Sequence, residues 1–330
     1  MSSKSGTYVW CIVAQTAIFG FGNAVTKLAY DSIDPFWCLA IRFGLALLVF
    51  ALFFGRRIVA QLRRAKLIDW LPAAFCMAVS YISCNVALSM TSATNVGFLV
   101  ALPIVFTPIA AVFVLKRPYR IVHLPFQVLA VFGLYLLCCN GGSFTFGWGE
   151  ALALVSPASL AGALVFGERG LKNLDVATVS ATQIGMTFVL SLVGALAFEP
   201  MVNLAAVQPA AWGIIVFLAL MSTCLTFALQ NAALKRLSST TVSMLLAGEP
   251  LFTAAFSWVF LGEILTGIGF VGAGLIVACV LAETYLDGRL ASSSSASTLH
   301  PSRGRSASEI LPSQARSASV AAPAFESGSN

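Results

Sequence analysis

The stretch PFWCLAIRFGLALLVFALFF, from Pro35 to Phe54, runs directly into GRRIVAQLRRAK, from Gly55 to Lys66, and its reading decides the fold. Its apolar residues fall on every face and are broken only by Arg42, so the period belongs neither to a helix lying on water nor to a half-wet strand. At ~1.5 Å per residue, a run of ~20 residues crosses a ~30 Å hydrocarbon layer. An outer-membrane strand would instead alternate apolar and polar positions over ~10 residues. The stretch is therefore a membrane-spanning helix, and the Arg and Lys that follow mark where it leaves the lipid.

The same pattern recurs along the chain. Apolar runs lie near Tyr8 to Tyr30, Trp70 to Met90, Val96 to Leu115 and Pro125 to Asn140, and then near Trp148 to Gly167, Val176 to Phe198, Trp212 to Leu234, Ser239 to Leu261 and Ile264 to Tyr285. With 58% hydrophobic and 10% charged residues over 330 positions, a water-soluble fold would have nowhere to put this surface. The expected fold is all-α and polytopic, with ten transmembrane helices. The first run carries Lys27 and lacks a small-residue cleavage pattern, so it is expected to be retained and not removed as a signal peptide.

The basic residues lie on one side. Arg56, Arg57, Arg63, Arg64 and Lys66 follow span two, Lys116, Arg117 and Arg120 follow span four, Arg169 and Lys172 follow span six, and Lys235 and Arg236 follow span eight. The intervening turns, including Asp31 to Asp34, Thr91 to Asn95 and Glu199 to Ala211, hold neither Lys nor Arg. The positive-inside rule then puts both termini in the cytoplasm, and the plasma (inner) membrane is the expected location. The net charge of +6 is spread over short loops, so no nucleic-acid face emerges. From about Arg289 the chain turns Ser-rich, which predicts a disordered cytoplasmic tail over 289–330.

An offset of 146 residues lays CNVALSMTSAT, from Cys84, on QNAALKRLSST, from Gln230, pairing Asn85 with Asn231, Leu99 with Leu245 and Thr107 with Thr253. Earlier in each half an offset of 141 pairs Asp34 with Asp175 and Arg42 with Gln183. The expected domains are an N-terminus at 1–6, a first five-span repeat at 7–141, a second at 148–288 and the tail. An odd number of spans per repeat inverts the second copy, an architecture of alternating-access carriers with their site between the halves. Pro103 and Pro108 interrupt span four, and Pro250 interrupts span nine one residue beyond the position matching Pro103. Proline frees a helix carbonyl that lipid cannot satisfy, so these helices should face a cavity or protein, unless the prolines merely kink packed helices.

These features resemble the drug/metabolite transporter superfamily, in particular its EamA-type ten-helix members. FGFGNAVTK from Phe19 to Lys27, Asp34-Pro35 and AIRFGLALL around Arg42 are similar to the family's first-half pattern, with Phe19 where Trp is usual. NAALKRLSSTTVSMLLAGEPLFTAAFSWVFLGEILT, from Asn231 to Thr266, is closer, with Glu249-Pro250 and Leu261-Gly262-Glu263; the first half has Leu102-Pro103 and Lys116-Arg117 there. The resemblance implies a secondary transporter exporting small metabolites such as amino acids. A carrier of drugs or phosphorylated compounds is the alternative within transport.

Other classes find less support. The eight cysteines fall in apolar runs and the two histidines, His123 and His300, lie far apart, so neither a metal cluster nor a His-based triad is expected. With no Ser-His, paired-Asp or metal constellation an embedded enzyme is not expected, and with no repeated filter motif neither is a channel. No G-x-x-x-x-G-K loop occurs, so neither ATP drive nor any cofactor is implied.

The expected partners are a small-molecule substrate and the lipid bilayer. Charges inside the membrane are costly unless they meet water, a partner or substrate. Arg42 and Glu249 are the leading cavity candidates, either binding substrate groups or pairing with each other; a helix-packing role for Glu249 is the alternative. Tyr81, Asn85, Gln183 and Asn231 either line the pathway or bond helix to helix. Lys27 either snorkels to the interface or gates, and Glu263 caps or gates. Gly267, Gly269, Gly272 and Gly274 allow close helix contact within the chain or in a homodimer.

Overall fold

A computed structural model describes residues 3–91, 93–119, 121–139, 147–261 and 266–298; Glu263 and the tail beyond Thr298 lie outside the described residues. Every regular element among them is helical. In chain order these are α1 (Ser3–Ala29), α2 (Pro35–Leu62), α3 (Leu67–Met90), α4 (Ala93–Val100), α5 (Pro103–Leu115), a 3₁₀ turn (Ile121–His123) and α6 (Leu124–Cys139). They are followed by α7 (Trp148–Gly170), α8 (Val176–Phe198), α9 (Pro209–Ala219), a π-helical turn (Leu220–Leu225), α10 (Thr226–Leu234), α11 (Ser239–Leu246), α12 (Glu249–Leu261) and α13 (Gly267–Thr298). Among the described residues six helices are long and apolar enough to cross a membrane, counting Pro209–Leu234 as one, and Pro103–Leu115, Ile121–Leu137 and Gly267–Ala282 are shorter apolar helices. This is a multi-pass membrane protein, with Phe53, Phe113 and Phe198 among the large apolar side chains turned outward.

Several helices outrun their apolar stretches. α2 continues through Arg56 and Arg57 to Leu62, and α13 continues to Thr298, past the point where the composition turns polar. Charge marks where a helix leaves hydrocarbon, but backbone hydrogen bonds carry it on into the interface.

The expected fourth and ninth spans are each divided at proline. α4 ends at Val100, and α5 begins on Pro103 after a tight turn in which Leu102 N donates to Leu99 O (3.1 Å). α11 ends at Leu246 and α12 begins at Glu249, with Gly248 N donating to Leu245 O (3.1 Å) between them. Pro250 has no N–H for the carbonyl of Leu246, which is what a continuous helix would require there.

Helices α3 and α7 form one extensive contact, α2 and α8 another, and α1 packs on α10 and α12. Two glycines let backbones meet. A Cβ on Gly20 would lie 2.6 Å from Phe252 Cβ, and one on Gly272 would lie 2.5 Å from both Gly133 O and Leu137 N. Gly272 is thus occupied within the chain, in the seam between α6 and α13.

The ends of the bundle are tied by polar contacts. At the end carrying the basic loops, Gln61 donates to Asp175 Oδ2 (3.0 Å), Arg57 pairs with the same carboxylate, and Asn173 donates to Asp69 (3.1 Å). Asp175 also caps its own helix by accepting from Thr178 N (2.8 Å). Burial works against its charge, but the bonds from Thr178 and the Arg57 guanidinium outweigh it and hold the carboxyl below its usual range. At the other end Glu199, just past α8, caps the start of α2, accepting from Phe36 N (2.8 Å) and Trp37 N (3.0 Å). Partial burial pushes this carboxyl above its usual range despite those two bonds.

Asp175→Ala removes a helix cap together with an ion pair and should lower stability in detergent by about 1–2 kcal/mol at pH 7. Because the folded carboxyl titrates below the unfolded one, its contribution is present above an unfolded value of about 3.9 and is lost as pH falls through the folded value. Thermal unfolding from pH 7 down to pH 3 should show the gap between wild type and variant closing only at the acidic end; a gap constant with pH would contradict this account.

Candidate functional site

A small cavity of about 70 Å³ lies among the helices of both halves of the chain. α1 supplies Asn23 and Thr26, α2 Arg42, α3 Ser80, Tyr81, Cys84 and Asn85, α7 Ser156, the π-helical turn Ser222, α10 Gln230, and the break between α11 and α12 Leu246 and Glu249. The wall carries one cation and one carboxylate, surrounded by amides, hydroxyls and the rings of Phe19 and Tyr81.

Arg42 is 5% exposed. Its Nε donates to Thr223 Oγ1 (2.7 Å), and its Nη2 donates to Ser222 O (2.9 Å) and Ser222 Oγ (3.2 Å). The wide turn from Leu220 to Leu225 makes this possible, because π-helical winding loosens the backbone ladder and presents a carbonyl sideways. Ser222 O also accepts from Thr226 Oγ1 (3.0 Å). Two rings complete the shell, with the guanidinium carbon 5.4 Å from the centre of Phe43 and 5.7 Å from that of Tyr81. Tyr81 is itself wedged against Phe43 and Phe227, at centroid distances of 5.1 and 5.4 Å. All three of these acceptors are neutral, so no anion bonded to the guanidinium offsets it on the cavity wall.

Glu249 opens α12, where the helix dipole favours a carboxylate. Its Oε1 accepts from Asn23 Nδ2 (2.7 Å), which ties the break in the ninth span to α1. Among the described residues Arg42 and Glu249 form no ion pair with each other, unlike Arg57 with Asp175 and Arg117 with Glu168. Gln15 Nε2 donates to Gln230 Oε1 (2.7 Å), joining α1 to α10 beside the same cavity.

The sequence profile of the EamA-like transporter family matches residues 6–139 and again residues 147–282. The chain belongs to this family. The threonine/homoserine exporter RhtA of Escherichia coli (strain K12) is 32% identical over 280 residues, covering 83% of this chain and 89% of that protein. The uncharacterized transporter YoaV of Bacillus subtilis (strain 168) is 24% identical over 282 residues, covering 83% of this chain and 95% of its own. A protein of known crystal structure superposes with a TM-score of 0.69 over 84% of this chain and 97% of its own, at 20% identity, a likeness of fold. Transport is thus the family's business, and the cavity is where this member brings Arg42 and Glu249 together.

The residues expected from sequence divide into three groups. Arg42, Glu249, Tyr81 and Asn85 share the cavity, although Asn85 is already engaged, donating to Tyr81 O (2.8 Å) and accepting from Tyr30 Oη (2.6 Å). Gln183 and Asn231 lie off the wall, fully buried and bonded to each other at 2.8 Å, with Asn231 Nδ2 also donating to Ser180 Oγ (2.9 Å). These two are an interhelical clasp. Pro103 and Pro250 sit at the helix breaks, Lys27 is exposed in the last turn of α1, and Glu263 lies outside the described residues. Asn23, Ser80, Ser156, Ser222 and Thr223 were not singled out by sequence; the signal available was a polar residue inside an apolar run, which each of them is.

Thr223→Val removes the acceptor for Arg42 Nε and leaves part of a buried cation unsatisfied, so it should cost about 1–3 kcal/mol. In an Arg42→Met background the same change should cost close to nothing, because the donor has gone. Thermal unfolding of the four proteins in detergent measures this coupling, and additive effects would show that the contact carries no energy.

Proposed function

We propose that the protein is a secondary transporter of the inner membrane that exports small amino-acid-like zwitterions by alternating access, with Arg42 taking the carboxylate and Glu249 the ammonium. The carrying observation is that these opposite charges share one cavity wall yet are held separately, by Ser222 and Thr223 on one side and Asn23 on the other. A mutual ion pair would leave no net pole for a solute. Two charges held apart by neutral groups leave both poles open, and a zwitterion can satisfy both at once. The small cavity favours a small solute over a drug-sized one, whose sites run to ~300–1,000 Å³. The name of the Escherichia coli relative, a threonine/homoserine exporter, supports the same substrate class.

The reading includes ten spans in two inverted five-span repeats, with both termini cytoplasmic. The twofold match to the family profile and the proline breaks at corresponding places in α4/α5 and α11/α12 support it. In such folds the broken helices flank the substrate and the halves rock around it. Reporter fusions at Lys66 and Lys172 should read inside and one at Asn203 outside; reversal at two adjacent loops would remove the ten-span arrangement.

Transport by proteoliposomes tests the charge assignment. Arg42→Ala and Glu249→Gln should insert normally and slow uptake of labelled threonine by about 10–100-fold, the worth of a charge-assisted contact of ~1.5–3 kcal/mol. Substrate analogues distinguish the two poles. Arg42→Ala should slow threonine but not its carboxamide, and Glu249→Gln should slow threonine but not its N-acetyl derivative. Equal loss for every analogue would mean that the residues hold the fold and do not read the solute.

A further inference from the structure

A second and larger cavity, of about 330 Å³, opens at the basic end between the end of α5, the 3₁₀ turn, the start of α6 and the start of α11. Its size falls within the ~300–1,000 Å³ of ligand sites, whereas the central cavity is much smaller. Its polar wall is formed by Arg117, Tyr119, His123, Gln127, Ser238 and Thr240. The chain leaves α5 through Lys116 in a left-handed conformation (φ 53°), so a second cation immediately precedes Arg117.

Two features of this wall call for a ligand. Gln127 is 4% exposed and its Oε1 accepts from Tyr119 Oη (2.9 Å), but its Nε2 is buried without a hydrogen-bond partner. A buried amide donor left unpaired costs ~1–3 kcal/mol, and because Gln127 lines the cavity, a turn of its side chain toward an acceptor there would recover it. Arg117 spends one nitrogen on Glu168 Oε1 (2.6 Å), and a guanidinium has five N–H donors. Glu168 is committed elsewhere as well, since its Oε2 accepts from Ser239 N (2.8 Å), so its charge is already shared. What remains on the wall is a set of donors from α5's end, α6 and α11, suited to a tetrahedral phosphate more than to a planar carboxylate.

The surroundings indicate where that phosphate comes from. Phe113 (77% exposed) and Ile121 (74% exposed) lie within a few positions of lining residues in the chain, together with exposed Val122 and Leu124. Such an apolar collar at the end of a span faces acyl chains, and basic pockets between membrane helices are suited to anionic headgroups. We propose that this cavity binds the phosphate of an anionic phospholipid, with Arg117, Gln127 and Thr240 as donors. Through Arg117, Glu168 and Ser239 the site touches the start of α11, whose other end carries the break at Glu249.

The full-length protein in detergent, titrated with phosphatidylglycerol or phosphatidylcholine and followed by thermal unfolding and native mass spectrometry, tests the proposal. Phosphatidylglycerol should bind and raise the unfolding temperature, and phosphatidylcholine should do neither. Arg117→Gln and Gln127→Leu should each weaken phosphatidylglycerol binding by about tenfold or more. Gln127→Leu removes an unpaired buried donor but also the acceptor for Tyr119 Oη, so each variant's shift is read against its own unfolding temperature without lipid. The double change Arg63→Gln with Arg64→Gln, exposed basic residues away from the cavity, should keep the shift. Equal effects of the two lipids, or undiminished binding in both cavity variants, would overturn the site. A shift reproduced in full by glycerol 3-phosphate would overturn the lipid assignment and make the cavity a site for a soluble phosphate ester.

Discussion

A guanidinium enclosed by helices has to find its hydrogen-bond acceptors in the protein, because neither lipid nor apolar side chains provide any. Arg42 finds three, all from one loosened turn of the span that packs beside it, Ser222 O, Ser222 Oγ and Thr223 Oγ1. Meeting that demand fixes the register between α2 and the π-helical turn, sets the faces of Phe43 and Tyr81 beside the charge, and leaves a cationic wall with no anionic partner of its own. The cavity is a consequence of how this charge is housed, and the carboxylate of Glu249, housed by Asn23, supplies its opposite pole.

The same economy governs the ends of the helices. α8 holds α2 from both directions: Asp175, before its first turn, takes Gln61 and Arg57 from the end of α2, and Glu199, after its last turn, caps the beginning of α2. Asp34, placed to cap α2 itself, makes no side-chain bond there, whereas Asp175, its partner in the sequence offset, caps its own helix through Thr178 N. Equivalent positions therefore do unequal work, as a carboxylate from across the bundle has taken over one of the two caps.

The all-helical, multi-pass character was legible because the bilayer imposes a length and a polarity that can be read along one dimension. Pro103 and Pro250 were equally legible, since a missing N–H acts locally whatever surrounds it, and both mark real breaks. Polar residues inside spans were not, because sequence alone does not separate a residue facing a cavity from one bonded to the next helix. Gln183 and Asn231 went to a clasp, while Asn85, the offset partner of Asn231, reached the cavity. Ser222 and Thr223 were hidden for a different reason: their importance comes from the widened winding around them, which no residue pattern in this apolar run announces.

That winding has a bearing on how the protein can vary. A π-helical turn is an α-helix carrying one surplus residue, so the segments on its two sides, α9 and α10, are out of phase by the ~100° that a single residue subtends. Loss of one residue anywhere from Leu220 to Leu225 would restore an ordinary helix of sufficient length and unremarkable hydropathy. It would also rotate Gln230 away from Gln15 and withdraw the carbonyl that Arg42 uses. A shortened homologue could therefore look intact by every measure of composition while having lost the geometry of its charge, which makes indel spacing across this turn, more than residue identity, the quantity to compare among relatives.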